Sequence, residues 1–127
     1  STSFAILRWV SLAFLILILL LLPFFAHWEE EEFRRGYHGF WPVIRRSIQF
    51  GLVHCLVGIP LSAGLVLCFS GLFYAWKYKR ARHRQIVLGK HDTAEDEGVM
   101  VATAYHTLYN SVVLAIIIAT AWTGIFC

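Results

Sequence analysis

The chain has 127 residues, of which 58% are hydrophobic and only 15% charged, far from the balance of soluble domains. That excludes an ordinary water-soluble globule. A net charge of +3, carried next to apolar segments, gives no footing for nucleic-acid binding. The charges are also segregated. All acidic residues lie in Glu29 to Glu32 and Asp92 to Glu97, and every Lys and Arg except Arg8 falls between Arg34 and Lys90.

Three stretches carry no Asp, Glu, Lys or Arg: Trp9 to Trp28, Ser47 to Trp76 and Gly98 to Cys127. Each reaches the roughly 20 apolar residues that a helix needs to cross the hydrocarbon core of a bilayer. In lipid the backbone must satisfy its own hydrogen bonds, and the strict alternation of a barrel strand is absent, so helices are expected. The predicted fold class is all-α, a polytopic integral membrane bundle of about four transmembrane helices forming one membrane-embedded domain over 1–127. Its helices are expected at about 5–28, 43–57, 61–77 and 99–126, with a polar loop at 78–97.

In the first stretch, Leu12 to Phe25 runs into His27, Trp28 and four glutamates. A secretory signal has a shorter apolar region ending in small residues, so a retained helix is expected. With no initiator Met, the chain as given is expected to begin after processing or trimming. The second stretch is interrupted by Gly58, Ile59 and Pro60. Proline removes a helical hydrogen bond and disfavours helix at the residue before it. A helical hairpin is therefore predicted, with one long kinked helix as the alternative.

Cytoplasmic loops accumulate Lys and Arg. A hairpin puts Glu29 to Arg46 and Lys77 to Glu97 on the same side, which is then expected to be cytoplasmic. Trp28, Trp41, Trp76 and Tyr78 fall near span ends, as an interfacial aromatic belt requires. The basic half of Lys77 to Glu97 is expected to meet anionic headgroups, and its acidic half to be a plain solvated loop. Cys55, Cys68 and Cys127 lack metal-ligand spacing and read as small buried hydrophobes.

A glutamate run cannot face lipid at mid-bilayer, where each carboxylate costs on the order of 2.5 to 3.5 kcal/mol. It must lie at the interface or face a polar cavity. Spacing of i,i+4 pairs Glu30 with Arg34 and Glu31 with Arg35. It also places Phe50 on the face of His54, and His106 on the face of Asn110. Two histidines and an asparagine in charge-free stretches, near a glutamate pair, make a candidate site.

The segments Glu30-Glu31-Glu32-Phe33-Arg34-Arg35-Gly36, Phe50-Gly51-Leu52-Val53-His54 and His106-Thr107-Leu108-Tyr109-Asn110 match E-E-x-x-x-R, F-x-x-x-H and H-x-x-x-N in order. The chain thereby resembles the CAAX-prenyl-protease and bacteriocin-processing (CPBP, or Abi) family of intramembrane endopeptidases, as a minimal core or truncated member. The resemblance implies catalytic residues Glu30, Glu31, Arg35, His54, His106 and Asn110. Glu30 would be the base, His54 its partner in activating water, and His106 with Asn110 the group stabilising the oxyanion. Glu29, Glu30 and Arg34 satisfy the first pattern equally well. The later register is preferred because Gly36 follows Arg35. Glu32 and Arg34 occupy positions that are usually apolar in the family.

The expected function is hydrolysis of a hydrophobic or prenylated peptide by a Glu/His-activated water, with the lipid bilayer as surroundings and no cofactor. One alternative is a catalytically silent accessory subunit packed against partner subunits of a larger membrane complex. Others are a haem held between His54 and His106 and a divalent metal on Glu30, His54 and His106.

Overall fold

The structure, a computed structural model, describes residues 1–123. The chain folds into four α-helices and a short 3₁₀ turn: α1 (Thr2–Arg34), α2 (Phe40–Leu56), α3 (Leu61–Val87), a turn at His91–Thr93, and α4 (Ala94–Thr123). Among the described residues there is no strand. The last expected residues of the fourth helix, 124–126, lie outside the described residues.

Helix α1 is 33 residues long, about 50 Å, and runs past the expected end at Trp28. The Glu–Arg pairs at i,i+4 support its last two turns. Helices α2 and α3 are separate elements that pack along one another, so the hairpin forms. At the turn, Ile59 donates its N–H to the His54 carbonyl and Gly58 donates to Cys55, both at 3.2 Å. Gly58 takes a φ of +98°, a left-handed conformation that costs glycine least. Pro60 then stands at the N-cap of α3.

The expected loop at 78–97 is mostly helix. α3 continues to Val87 and α4 begins at Ala94, leaving a short connection. Lys79, Arg80, Arg82 and Arg84 are good helix formers. Glu95, Asp96 and Glu97 fall in the first turn of α4, where carboxylates oppose the positive end of the helix dipole.

Two helical segments, Thr2–Arg34 and His91–Thr123, are long and apolar enough to cross a membrane. The four-span expectation exceeds this. α2 has only 17 residues and carries Arg45 and Arg46 near its start, while the second half of α3 is strongly basic. Most of the apolar surface of α1 and α4 is exposed, Phe14, Leu20, Phe24, Leu108 and Ile116 among it.

The buried core lies near the polar ends of the helices, around Phe33, Phe50, Tyr74, Tyr78, Val99 and Ala102. Small residues let the helices approach closely there. A Cβ on Gly51 would stand 2.3 Å from both the Gly64 carbonyl oxygen and Cys68 Sγ, so α2 and α3 touch backbone to backbone. At the opposite end, α1 and α4 are joined by Trp9 edge-on to Trp122, with ring centroids 5.2 Å apart. The Arg8 guanidinium covers the Trp122 ring at 4.7 Å.

Candidate functional site

Three helices bring their polar residues to one point in this core. α1 contributes Glu29, Glu30 and Arg34; α2 contributes His54; α4 contributes His106. The Glu30 carboxylate is fully enclosed, with 0% exposure, and both its oxygens are engaged. Arg34 Nε donates to Oε2 at 3.0 Å, and His106 Nδ1 lies 2.8 Å from Oε1. Because the paired carboxylate accepts, His106 Nδ1 carries the hydrogen and its Nε2 is left facing Glu29 Oε2 at 3.4 Å.

His54 is set in the same way. Its Nδ1 lies 2.6 Å from the Phe50 carbonyl, which can only accept, so Nδ1–H donates to its own helix. Its Nε2 then points to Glu29 Oε1 at 3.7 Å. That distance is too long for a direct hydrogen bond. The Nε2 atoms of both imidazoles thus converge on the Glu29 carboxylate.

Aromatic rings hold the imidazoles in place. Tyr74 stacks on His106 with centroids 4.6 Å apart and planes inclined by 14°. Phe50 stands edge-on to His54 at 4.9 Å and to His106 at 5.4 Å. The Arg34 guanidinium lies over the Phe50 ring at 5.0 Å, a cation–π contact that accompanies a buried, unpartnered Nη2.

Glu29 and His54 are the accessible members, their side chains 22% and 23% exposed. They line a groove of about 640 Å³ between α1 and α2, together with Trp28, Glu32, Phe33, Val53 and Val57. The site thus has a layered build. A closed Glu30–Arg34–His106 unit lies beneath, and an open Glu29–His54 pair faces the groove.

Of the sequence-predicted site residues, the structure brings together Glu30, His54 and His106. Glu31 and Arg35 pair with each other at 2.5 and 2.8 Å, with His27 3.6 Å from Glu31, and neither contacts His54 or His106. Asn110 is half-buried one turn beyond His106 and makes no side-chain hydrogen bond among the described residues. Glu29 and Arg34, the other register of the E-E-x-x-x-R pattern, occupy the cluster instead. Tyr74 carries no motif and escapes a sequence reading, although Gly71, Tyr74, Tyr78 and Ala81 share the buried face of α3 at helical spacing.

A second polar network braces the site from above. Tyr78 is buried rather than interfacial, unlike Trp28, Trp41 and Trp76, which are exposed. Its hydroxyl donates to Glu95, accepts from the Gly36 amide at 3.1 Å and lies 3.1 Å from His38 Nε2. Glu95 also accepts from Arg82 Nε at 2.8 Å, and Asp96 accepts from Arg35 at 2.7 Å. The second acidic cluster is therefore no plain solvated loop; it ties the start of α4 to α3 and to the end of α1. Hydrogen bonds with Glu31 and Asp96 raise the Arg35 pKa further above its ordinary value, so that side chain stays charged.

Among the described residues no group of three or more His, Cys, Asp and Glu side chains is arranged to hold a metal ion. The nearest approach, Glu29 with the two imidazoles, has His106 tied to Glu30. The Nε2 atoms of His54 and His106 both face the Glu29 carboxylate.

Fold and site define an all-helical protein, with two helices able to cross a membrane, that encloses a carboxylate–imidazole cluster. Comparisons with protein-family models, curated proteins and solved structures give no significant match.

Proposed function

We propose that the chain is an integral membrane hydrolase of the glutamate type, cleaving a hydrophobic peptide at the level of the bilayer interface. α1 and α4 cross the membrane, the α2–α3 hairpin enters from the polar side, and that side is cytoplasmic. The observation that carries the reading is the Glu29 carboxylate, reached from the groove and faced by both imidazole Nε2 atoms. The ordered motif resemblance to the CPBP family supports the same chemistry, read in the register Glu29, Glu30, Arg34.

In this mechanism a water enters from the groove and sits beside Glu29 and His54 Nε2. Glu29 accepts its proton as oxygen attacks the peptide carbonyl. The resulting Glu29 carboxylic acid then protonates the departing amine, which restores the carboxylate and completes the addition of one water across the bond. Glu30 is a positioning residue: by fixing His106 Nδ1–H it directs Nε2 toward the reacting groups. Arg34 neutralises Glu30, leaving Glu29 as the reactive charge.

The test uses the purified chain in lipid with an internally quenched hydrophobic peptide. Glu29→Gln should lower the rate about 10²-fold or more, the usual scale for a removed general base. Glu32→Gln, on the groove wall, should leave it nearly unchanged. Undiminished cleavage by Glu29→Gln would sink the proposal. A second reading, a non-catalytic subunit, draws on the complete pairing of Glu30. It predicts no cleavage by the native chain and undisturbed assembly of Glu29→Gln with its partners.

A further inference from the structure

The carboxylates that form ion pairs with Lys or Arg select particular cations. Glu30 takes Arg34, Glu31 and Asp96 take Arg35, Glu32 lies 4.0 Å from Arg46, and Glu95 takes Arg82. Among the described residues none reaches Lys77, Arg80 or Arg84. Spacings of three and four residues put these three cations on one face of α3. It lies about a quarter turn from the face of buried Tyr74, Tyr78 and Ala81, with Lys77 half-buried and Arg80 and Arg84 exposed.

Aromatic rings flank these cations where carboxylates do not. Lys77 Nζ lies 4.5 Å from the Trp76 ring and 4.3 Å from the Tyr105 ring, and the Arg80 guanidinium lies 5.6 Å from Trp76. Lys77 is the first charged residue of α3 after the apolar run Leu61 to Trp76. It also stands three residues beyond Tyr74, about 4.5 Å along the helix axis. The unpaired cations therefore begin just above the level of the imidazole cluster.

We infer that Trp76, Lys77, Arg80 and Arg84 form a binding face for the headgroups of anionic phospholipids, and that this contact fixes how deep the carboxylate–imidazole cluster sits. Long basic side chains carry their charge outward while their stems remain on apolar surface. An anionic leaflet supplies the countercharge that the chain itself withholds. Tryptophan and tyrosine occupy the same headgroup level. The inference rests on the membrane reading proposed above and is independent of whether the site is catalytic.

The full chain, reconstituted in phosphatidylcholine vesicles, would be probed with trace spin-labelled phosphatidylglycerol or phosphatidylcholine, and the motionally restricted fraction of each compared. The native chain should prefer the anionic lipid. Arg80→Gln/Arg84→Gln should reduce that preference about fivefold for each cation removed, the scale set by roughly one unit of interfacial charge attraction per residue. Arg45→Gln/Lys90→Gln, with the same net charge, should retain it. Equal losses in the two double variants, or no preference in the native chain, would overturn the inference while leaving the membrane reading intact. Release of the native chain from vesicles by alkaline carbonate would overturn both.

Discussion

Two ion pairs on α1, one residue apart in sequence, lead opposite lives. Glu30 and Arg34 are both almost wholly buried, bonded at 3.0 Å and roofed by Phe50 and His106. Glu31 and Arg35 share the same spacing and shorter contacts, yet about a third of each side chain is exposed. A step of one residue turns a side chain about 100° around a helix, enough to move it from the core to the rim. Ion-pair geometry says little about role until the surroundings are known. A buried pair is costly to break because the remaining charge is stranded, whereas an exposed one leaves its partner to water.

The largest expected effect tests that contrast directly. Arg34→Met should destabilise the protein by about 3 to 5 kcal/mol, because Glu30 would keep a buried charge without its cation. Arg35→Met should cost about 1 kcal/mol or less. Thermal unfolding in one detergent measures both, and equal shifts would show that burial does not distinguish the two pairs. Replacing Glu30 and Arg34 together with apolar residues should recover much of the loss.

Phe50→Ala comes next. Its ring is fully buried against Phe33, Tyr74, His54 and His106, so truncation should cost about 3 to 5 kcal/mol. It should also loosen both imidazoles, seen as broadened histidine ring resonances. Unchanged stability would show that the buried pair does not depend on this roof.

A smaller effect is expected from Asp96→Ala, which removes the bond between Arg35 and the start of α4. About 0.2 to 1 kcal/mol should be lost, and less at high salt because the pair is exposed. A loss as large at 1 M salt as at 0.1 M would mean that the outer network is shielded like the inner one.

Much of the fold is legible in the residues. Apolar length predicts the long helices, Pro60 marks the hairpin turn, and Phe50, His54 and His106 stand out as polar or aromatic intruders at helical spacing. The polar connection after α3 is misjudged because charge suggests solvent, whereas Lys and Arg are comfortable helix residues whose partners lie across the bundle. Tyr78 reads as interfacial from its place at the end of an apolar run. In the fold it is buried, since Glu95 comes from the next helix to accept its hydroxyl. The number of membrane crossings stays open to sequence reading for a related reason: a charge-free segment fixes no helix boundaries, and α2 and the basic half of α3 fall short of the length and composition that α1 and α4 satisfy.

By itself, then, the sequence determined an all-helical, largely apolar chain with an acidic run where its first apolar stretch ends and single imidazoles inside the other two. These are properties of composition and of spacing along one helix. Only the tertiary structure decided which of two overlapping Glu–Arg registers meets His54 and His106. It also decided that Glu30 is sealed while Glu29 faces the groove. The reason is physical: both registers satisfy the same i,i+4 spacing on α1, so the choice depends on the rotational phase of that helix against α2 and α4. That phase is set by packing between helices, through Phe50 against Phe33 and Arg34 and His106 against Glu30, rather than by anything within α1.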